Sequence, residues 1–219
     1  MIVPAMTVSE IQKELANDYD NCLARVTKNL NKYRREIIKS SRFPIYFKPI
    51  DHVTPSKNNF ILFIEAQSKK DAQNPFITFV GYYLKPEGIY AAMVYPVLDG
   101  RKKIAIYPPH FFERYKERFL HEDLGTLDTI KLYFKSNPSN ILELSDENLF
   151  RGKCAHGFVF GEKLNDSVEI IKTFISSEML KGDQKLLSEF LIGELDELNK
   201  SKSSFDSSKN PYLKLIACC

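Results

Sequence analysis

Ile89-Tyr-Ala-Ala-Met-Val-Tyr-Pro-Val97, then Asp99-Gly100, Lys103-Ile-Ala-Ile-Tyr107, Pro108-Pro109 and His110-Phe-Phe-Glu-Arg-Tyr-Lys-Glu-Arg-Phe-Leu120 make up the stretch that decides the fold. Two β-branched and aromatic runs flank an Asp-Gly turn, which is hairpin chemistry. A proline pair then ends the second run and opens a helix, since proline cannot continue a ladder but fits a first helical turn. The chain switches here from sheet to helix.

Upstream, Phe60-Ile-Leu-Phe-Ile64 and Phe76-Ile-Thr-Phe-Val80 read as two further strands, with Pro86-Glu-Gly88 as the turn leading into Ile89. The four runs together predict an antiparallel meander. Before them, Thr7-Val8-Ser9-Glu10 offers a capping box, and Ile11, Leu15, Tyr19, Cys22, Val26 and Ile37 fall at helical spacing. One long amphipathic helix ending near Ser40 is expected. Its outward side carries Lys13, Arg25, Lys28, Lys32, Arg35 and Lys39, which either meet an acidic partner or face water. Pro44, Pro49 and Pro55 make residues 42–59 an extended connector.

Downstream, Thr126 to Lys135 reads as a short helix, and Arg151 to Lys163 and Val168 to Ser176 as strands around an Asn165-Asp166 turn. From Asp183, Leu186, Leu187, Phe190, Leu191, Leu195 and Leu198 trace a last amphipathic helix, followed by a Ser/Lys-rich tail. The expected fold class is α+β: an antiparallel sheet with a long N-terminal helix, central helices before a final hairpin, and a C-terminal helix. Its divisions are a helix over 1–42, an α+β core over 43–199 and a flexible tail over 200–219.

The 219 residues suffice for a sizeable core, and 43% hydrophobic with 27% charged content is ordinary for a globular chain. A net charge of +3 compels neither a nucleic-acid nor an anionic-membrane partner, so any such partner must meet a local patch. With no signal-like start and no membrane-length apolar run, a cytoplasmic location is expected. Cys22, Cys154, Cys218 and Cys219 lack metal-ligand spacing, and neither a metal nor another cofactor is expected.

Chemistry concentrates on the predicted helix after Pro109. His110, Arg114 and Arg118 are four apart, so they drift only about 40° per step and form one stripe about 12 Å long. Arginine offers a fixed fork of donors to phosphate, and histidine exchanges protons near neutral pH. Phe111, Tyr115 and Phe119 form the neighbouring apolar stripe. An ordinary helix surface explains the same residues, because Glu113 and Glu117 can pair with nearby cations.

With its His-x-x-x-Arg-x-x-x-Arg helix, the chain resembles the RelE, colicin D and barnase-like group of small nucleases over roughly Lys103 to Leu180. In that branch the helix is followed by a second helix and then by strands that add polar residues to a cleft. The counterparts are Thr126 to Lys135, Arg151-Gly-Lys-Cys-Ala-His-Gly157 and Ile171-Lys-Thr-Phe-Ile-Ser176. The resemblance implies His110, Arg114 and Arg118 as site residues, joined by Lys153, His156 and Thr173. It further implies metal-independent RNA cleavage or binding, with His110 or His156 as acid/base group, Arg114, Arg118 and Lys153 on phosphate, and Thr173 as a positioning hydroxyl. The first helix, the meander and the last helix have no counterpart in the minimal nuclease. They leave open a non-catalytic protein whose amphipathic helices meet a protein partner or a second copy. Taken by themselves, His156 reads equally as a core-edge histidine and Cys154 as a small buried side chain.

Overall fold

The computed structural model describes residues 1–97, 99–137, 141–144 and 148–179. The expected C-terminal helix, the tail and Cys218-Cys219 lie outside the described residues. The chain is a mixed α and β structure built on a ten-stranded sheet. The meander is present as β3 (Asn59–Ala66), β4 (Phe76–Lys85), β5 (Gly88–Pro96) and β6 (Lys102–Tyr107), paired antiparallel in chain order. The connector before it is not free of sheet structure. β1 (Ile45–Tyr46) and β2 (Ile50–Val53) both pair with β3, so backbone the prolines keep out of a helix is used at a sheet edge, where proline is tolerated.

The N-terminal helical segment is two helices. The long one, α1 (Val8–Thr27), starts at the expected capping box, with the Thr7 hydroxyl and the Glu10 carboxylate each serving the other's backbone N–H. It ends at Thr27 rather than near Ser40. Asn29, at φ −108° and ψ 4°, leaves the helical range, and α2 (Leu30–Lys39) begins after it. Apolar spacing runs through this break: Tyr33 joins the cluster of Cys22 and Val26, and Ile37 packs on Ala66 and Ala72.

Past β6 the chain leaves the sheet at Pro108 and forms α3 (Pro109–Tyr115), which runs into one π-helical turn, Lys116–Leu120. α4 (Thr126–Ser136) follows. The chain then re-enters the sheet as β7 (Ile141–Leu144), β8 (Leu149–Cys154), β9 (Gly157–Asn165) and β10 (Val168–Ser176), a second antiparallel meander. The segment read as one strand from Arg151 to Lys163 is a hairpin broken at Ala155-His156. β10 returns to lie beside β6, and this one pairing is parallel, through Val168–Ile104, Glu169–Ala105 and Ile170–Ile106. The sheet is therefore mostly, not wholly, antiparallel.

Both faces of the sheet are covered, and the two-residue period of a strand distributes the core. Ile104 and Ile106 pack with Ile11, Leu15 and Cys22 of α1, whereas Ala105 and Tyr107 turn to the opposite face and pack with α3 and α4. Gly81 admits Leu15 to the first face, since a Cβ there would meet Leu15 Cδ2 at 2.6 Å. On the second face Tyr107, Phe111, Phe112, Tyr115, Tyr133 and Phe134 are fully buried. Their rings meet largely edge to face, as between Tyr107 and Phe134 at 4.9 Å and 83°. Each contributes about 1.5–3 kcal/mol by burial, which makes this aromatic block the main anchor of α3. No helix among the described residues is long and apolar enough to cross a membrane.

The β8–β9 hairpin is seated on β10 at Gly157. A Cβ added there would lie 2.1 Å from the Ile175 carbonyl oxygen and 2.9 Å from Ser176 Cα, both backbone atoms that cannot give way. Gly157→Ala is expected to destabilise the fold by roughly 3 kcal/mol, a fall in Tm of about 10 °C in a melting experiment.

Candidate functional site

α3 presents its side chains to β10 because Phe111, Phe112 and Tyr115 fix its buried side. His110, in the first turn, is exposed and makes no hydrogen bond or ion pair among the described residues. One turn on, Arg114 is also exposed, and its Nη1 donates to Thr173 Oγ1 at 2.6 Å. Arg118 is half-buried and donates from Nη1 to the Phe174 carbonyl. Both arginines thus reach consecutive residues of β10.

The π-helical turn and a β-bulge make that possible. In the π-helical turn His121 N–H donates to Lys116 O, five residues back, and this rotates Arg118 off a strict four-residue stripe. In β10 the register slips between Ile171 and Thr173, leaving Lys172 as an extra residue. Ile171 and Phe174 are three apart, a spacing that would place them on opposite faces of a regular strand, yet both pack beneath α3.

His156 arrives from a different direction, at the tip of the β8–β9 hairpin. Its ring stacks on Phe119 with centroids 3.9 Å apart and planes 15° apart. Its Nδ1 lies 2.7 Å from the Tyr115 hydroxyl and 3.4 Å from Asn137 Nδ2. Asn137 spends its amide on the Tyr133 carbonyl at 2.9 Å, which fixes its Nδ2 as a donor. A Tyr115 O–H that donates to Nδ1 leaves the proton of the neutral imidazole on Nε2. Burial holds the His156 pKa below the usual imidazole value and pushes that of the Tyr115 phenol up, so both groups are neutral at pH 7. Among the described residues, Asn137 Oδ1 and Ser176 Oγ, each on a residue 2% exposed, are buried without a hydrogen-bond partner.

The structure therefore brings Arg114, Arg118, Thr173 and His156 to one end of β10. Lys153 pairs with Phe158 on the face of Phe160 and Ile175, the face that register also gives Thr173 through its pairing with Phe160, and its side chain makes no hydrogen bond or ion pair among the described residues. His110 lies nine residues before Phe119, about 13 Å along the helix. Burial pushes the Cys154 thiol up to about 11, which leaves it an uncharged core side chain rather than a nucleophile. Among the described residues no group of three His, Cys, Asp or Glu side chains is arranged to hold a metal ion.

Sequence reasoning missed the roles of Tyr115, Phe119, Asn137 and Ser176. Tyr115 and Phe119 read as the apolar stripe, and they are that; a polar tip on a core aromatic is the one signal that points further. Asn137 and Ser176 carry none. No family model, curated protein or solved structure matches the chain.

The lowered pKa of His156 has a consequence for stability. The unfolded chain takes up this proton more readily than the folded one, so the stability involved is complete above about pH 6.5 and is lost as pH falls below it. His52, also lowered by burial, acts in the same direction, and the carboxyls Glu65 and Glu169, raised by desolvation, act in the opposite one. Comparison with His156→Gln isolates the effect: between pH 7.5 and 5.5 the wild type is expected to lose more Tm than the variant.

Proposed function

We infer that the chain binds RNA across α3 and the end of β10 and cleaves it there without a metal ion, with His156 as the proton-exchanging group. The observation that supports this reading is the half-buried, neutral imidazole of His156, stacked on Phe119, the residue after Arg118, and supplied by a hairpin some forty residues from the helix. The succession of helix, second helix and returning strands agrees with what the nuclease resemblance implies for residues 103–180.

In the reaction the 2′-hydroxyl attacks the adjacent phosphorus, the 2′ proton passes to a base, and the bond to the 5′ oxygen breaks. The 5′ oxygen takes a proton from solvent water, giving a 2′,3′-cyclic phosphate and a 5′-hydroxyl, and the protonated base later returns its proton to solvent. Turning the Tyr115 hydroxyl so that Nδ1–H donates to it frees Nε2 of His156 as the base. Tyr115 is then a positioning residue. Arg114 and Arg118 stabilise the charge that builds on the phosphorane oxygens, with Thr173 orienting Arg114. His110, at the other end of α3, meets a neighbouring phosphate.

A second reading has its own support. Arg114 and Arg118 already have acceptors on β10, as arginines that clamp a helix to a sheet would, and such a chain would be a non-catalytic interaction protein.

Incubation of a mixed RNA pool in EDTA with wild type, His156→Ala and Arg114→Ala/Arg118→Ala separates the two. Cyclic-phosphate ends from the wild type and a drop of about 100-fold or more in each variant are expected. No cleavage by folded wild type, or equal cleavage by all three, overturns the assignment.

A further inference from the structure

The basic segment at the N-terminal side of the sheet has no part in the chemistry at α3. Residues 28–42 carry Lys28, Lys32, Arg34, Arg35, Lys39 and Arg42 against one acid, Glu36. That is +5 within a chain of net +3, which leaves −2 for all the rest. All six cations are exposed, and none forms an ion pair among the described residues.

The fold concentrates this charge. α2 buries Tyr33 and Ile37, so Lys32, Arg35 and Lys39, at spacings of three and four, share its outer side. Ile37 packs on Ala66 and Ala72, which draws the short 3₁₀ turn Lys69–Ala72 against α2 and adds Lys69 and Lys70, both exposed. The nearby acids are turned inward. Asp71 is 8% exposed and accepts from the backbone N–H groups of Gln67 and Ser68, while Glu65 is 7% exposed and is bonded by Gln67. Lys32, Arg35 and Lys39 of α2 and Lys69 and Lys70 of the adjoining turn are thus exposed on elements held by buried anchors.

We propose that the face formed by α2 and the Lys69–Ala72 turn is a docking surface for the phosphate backbone of single-stranded RNA, separate from the site at α3. The choice of RNA rests on the function proposed above; a strand cleaved by its own 2′-hydroxyl must be unpaired to reach an in-line geometry. β10 is four strand spacings from β3, roughly 19 Å, so the surface holds a part of the strand remote from the cleaved bond. A substrate of two or three nucleotides does not reach both.

The test is the affinity of the full chain for a labelled 30-nucleotide 2′-O-methyl oligouridylate, which cannot be cleaved through a 2′-hydroxyl. Lys32→Glu/Arg35→Glu/Lys39→Glu is expected to weaken binding at least about tenfold at 0.1 M salt and to reduce the slope of log affinity against log salt by about 2, as for the loss of three phosphate contacts. Lys69→Ala/Lys70→Ala is expected to have a smaller effect in the same direction, and His156→Ala very little. Unchanged affinity in folded triple variant, or no binding by wild type at low salt, overturns the proposal. So does binding of phosphatidylserine vesicles through these residues with no binding of the oligonucleotide. Cleavage of an unmodified trinucleotide is measured in parallel: its absence in wild type strikes the α3 assignment alone, whereas its persistence in the triple variant, with loss confined to long substrates, supports a separate docking surface.

Discussion

The parallel join of β6 to β10 is the constraint on which the rest depends. Each meander can form from local hairpins, but only three register pairs, centred on Glu169 and Ala105, unite them into one sheet. Everything between these strands, from Pro108 to Ser167, must then be accommodated as a crossover. Its helices cover one face, and its strands must enter at the far edge and work back. That route brings the β8–β9 hairpin to the end of α3. It also half-buries Glu169 at the join, where its carboxylate accepts from the Tyr95 hydroxyl at 3.0 Å and desolvation raises its pKa.

With the sheet closed, its two faces take on different work. The α1 face is mainly apolar, and its main polar network, Asp18 with Thr54 and Asn58, is fully bonded and ties β2 and β3 to the helix. The α3 face is aromatic and contains Asn137 Oδ1 and Ser176 Oγ, buried polar atoms without partners among the described residues. A buried polar atom costs stability when it is left unbonded. Asn137 adjoins the stacked histidine, its Nδ2 lying 3.4 Å from His156 Nδ1.

The same geometry explains why the two functional readings compete. Arginines that reach β10 both fasten α3 and stand where a phosphate would approach, and no feature of Arg114 or Arg118 separates these uses. His156 stacks on Phe119 at 3.9 Å and is bonded to the buried Tyr115, a contact that seats the tip of the β8–β9 hairpin on the α3 segment.

The sequence by itself determined the elements whose signals are local. The capping box at Thr7, the turn residues at Pro86-Glu-Gly88 and Asp99-Gly100, and the proline stop before His110 all act within a few residues, and they located α1, the first meander and α3. The basic stripe over Lys32, Arg35 and Lys39 was likewise legible, since helical spacing alone puts these residues on one side. Tertiary structure decided what depends on distant partners. The division of Arg151 to Lys163 into a hairpin, the parallel β6–β10 pairing and the slip that leaves Lys172 extra in β10 are matters of strand register, and a one-residue shift in register exchanges every side chain between faces. His156 met Phe119 and Tyr115 for the same reason: their contact is set by the closure of a sheet whose two joining strands lie some sixty residues apart in the chain, and no local pattern encodes it.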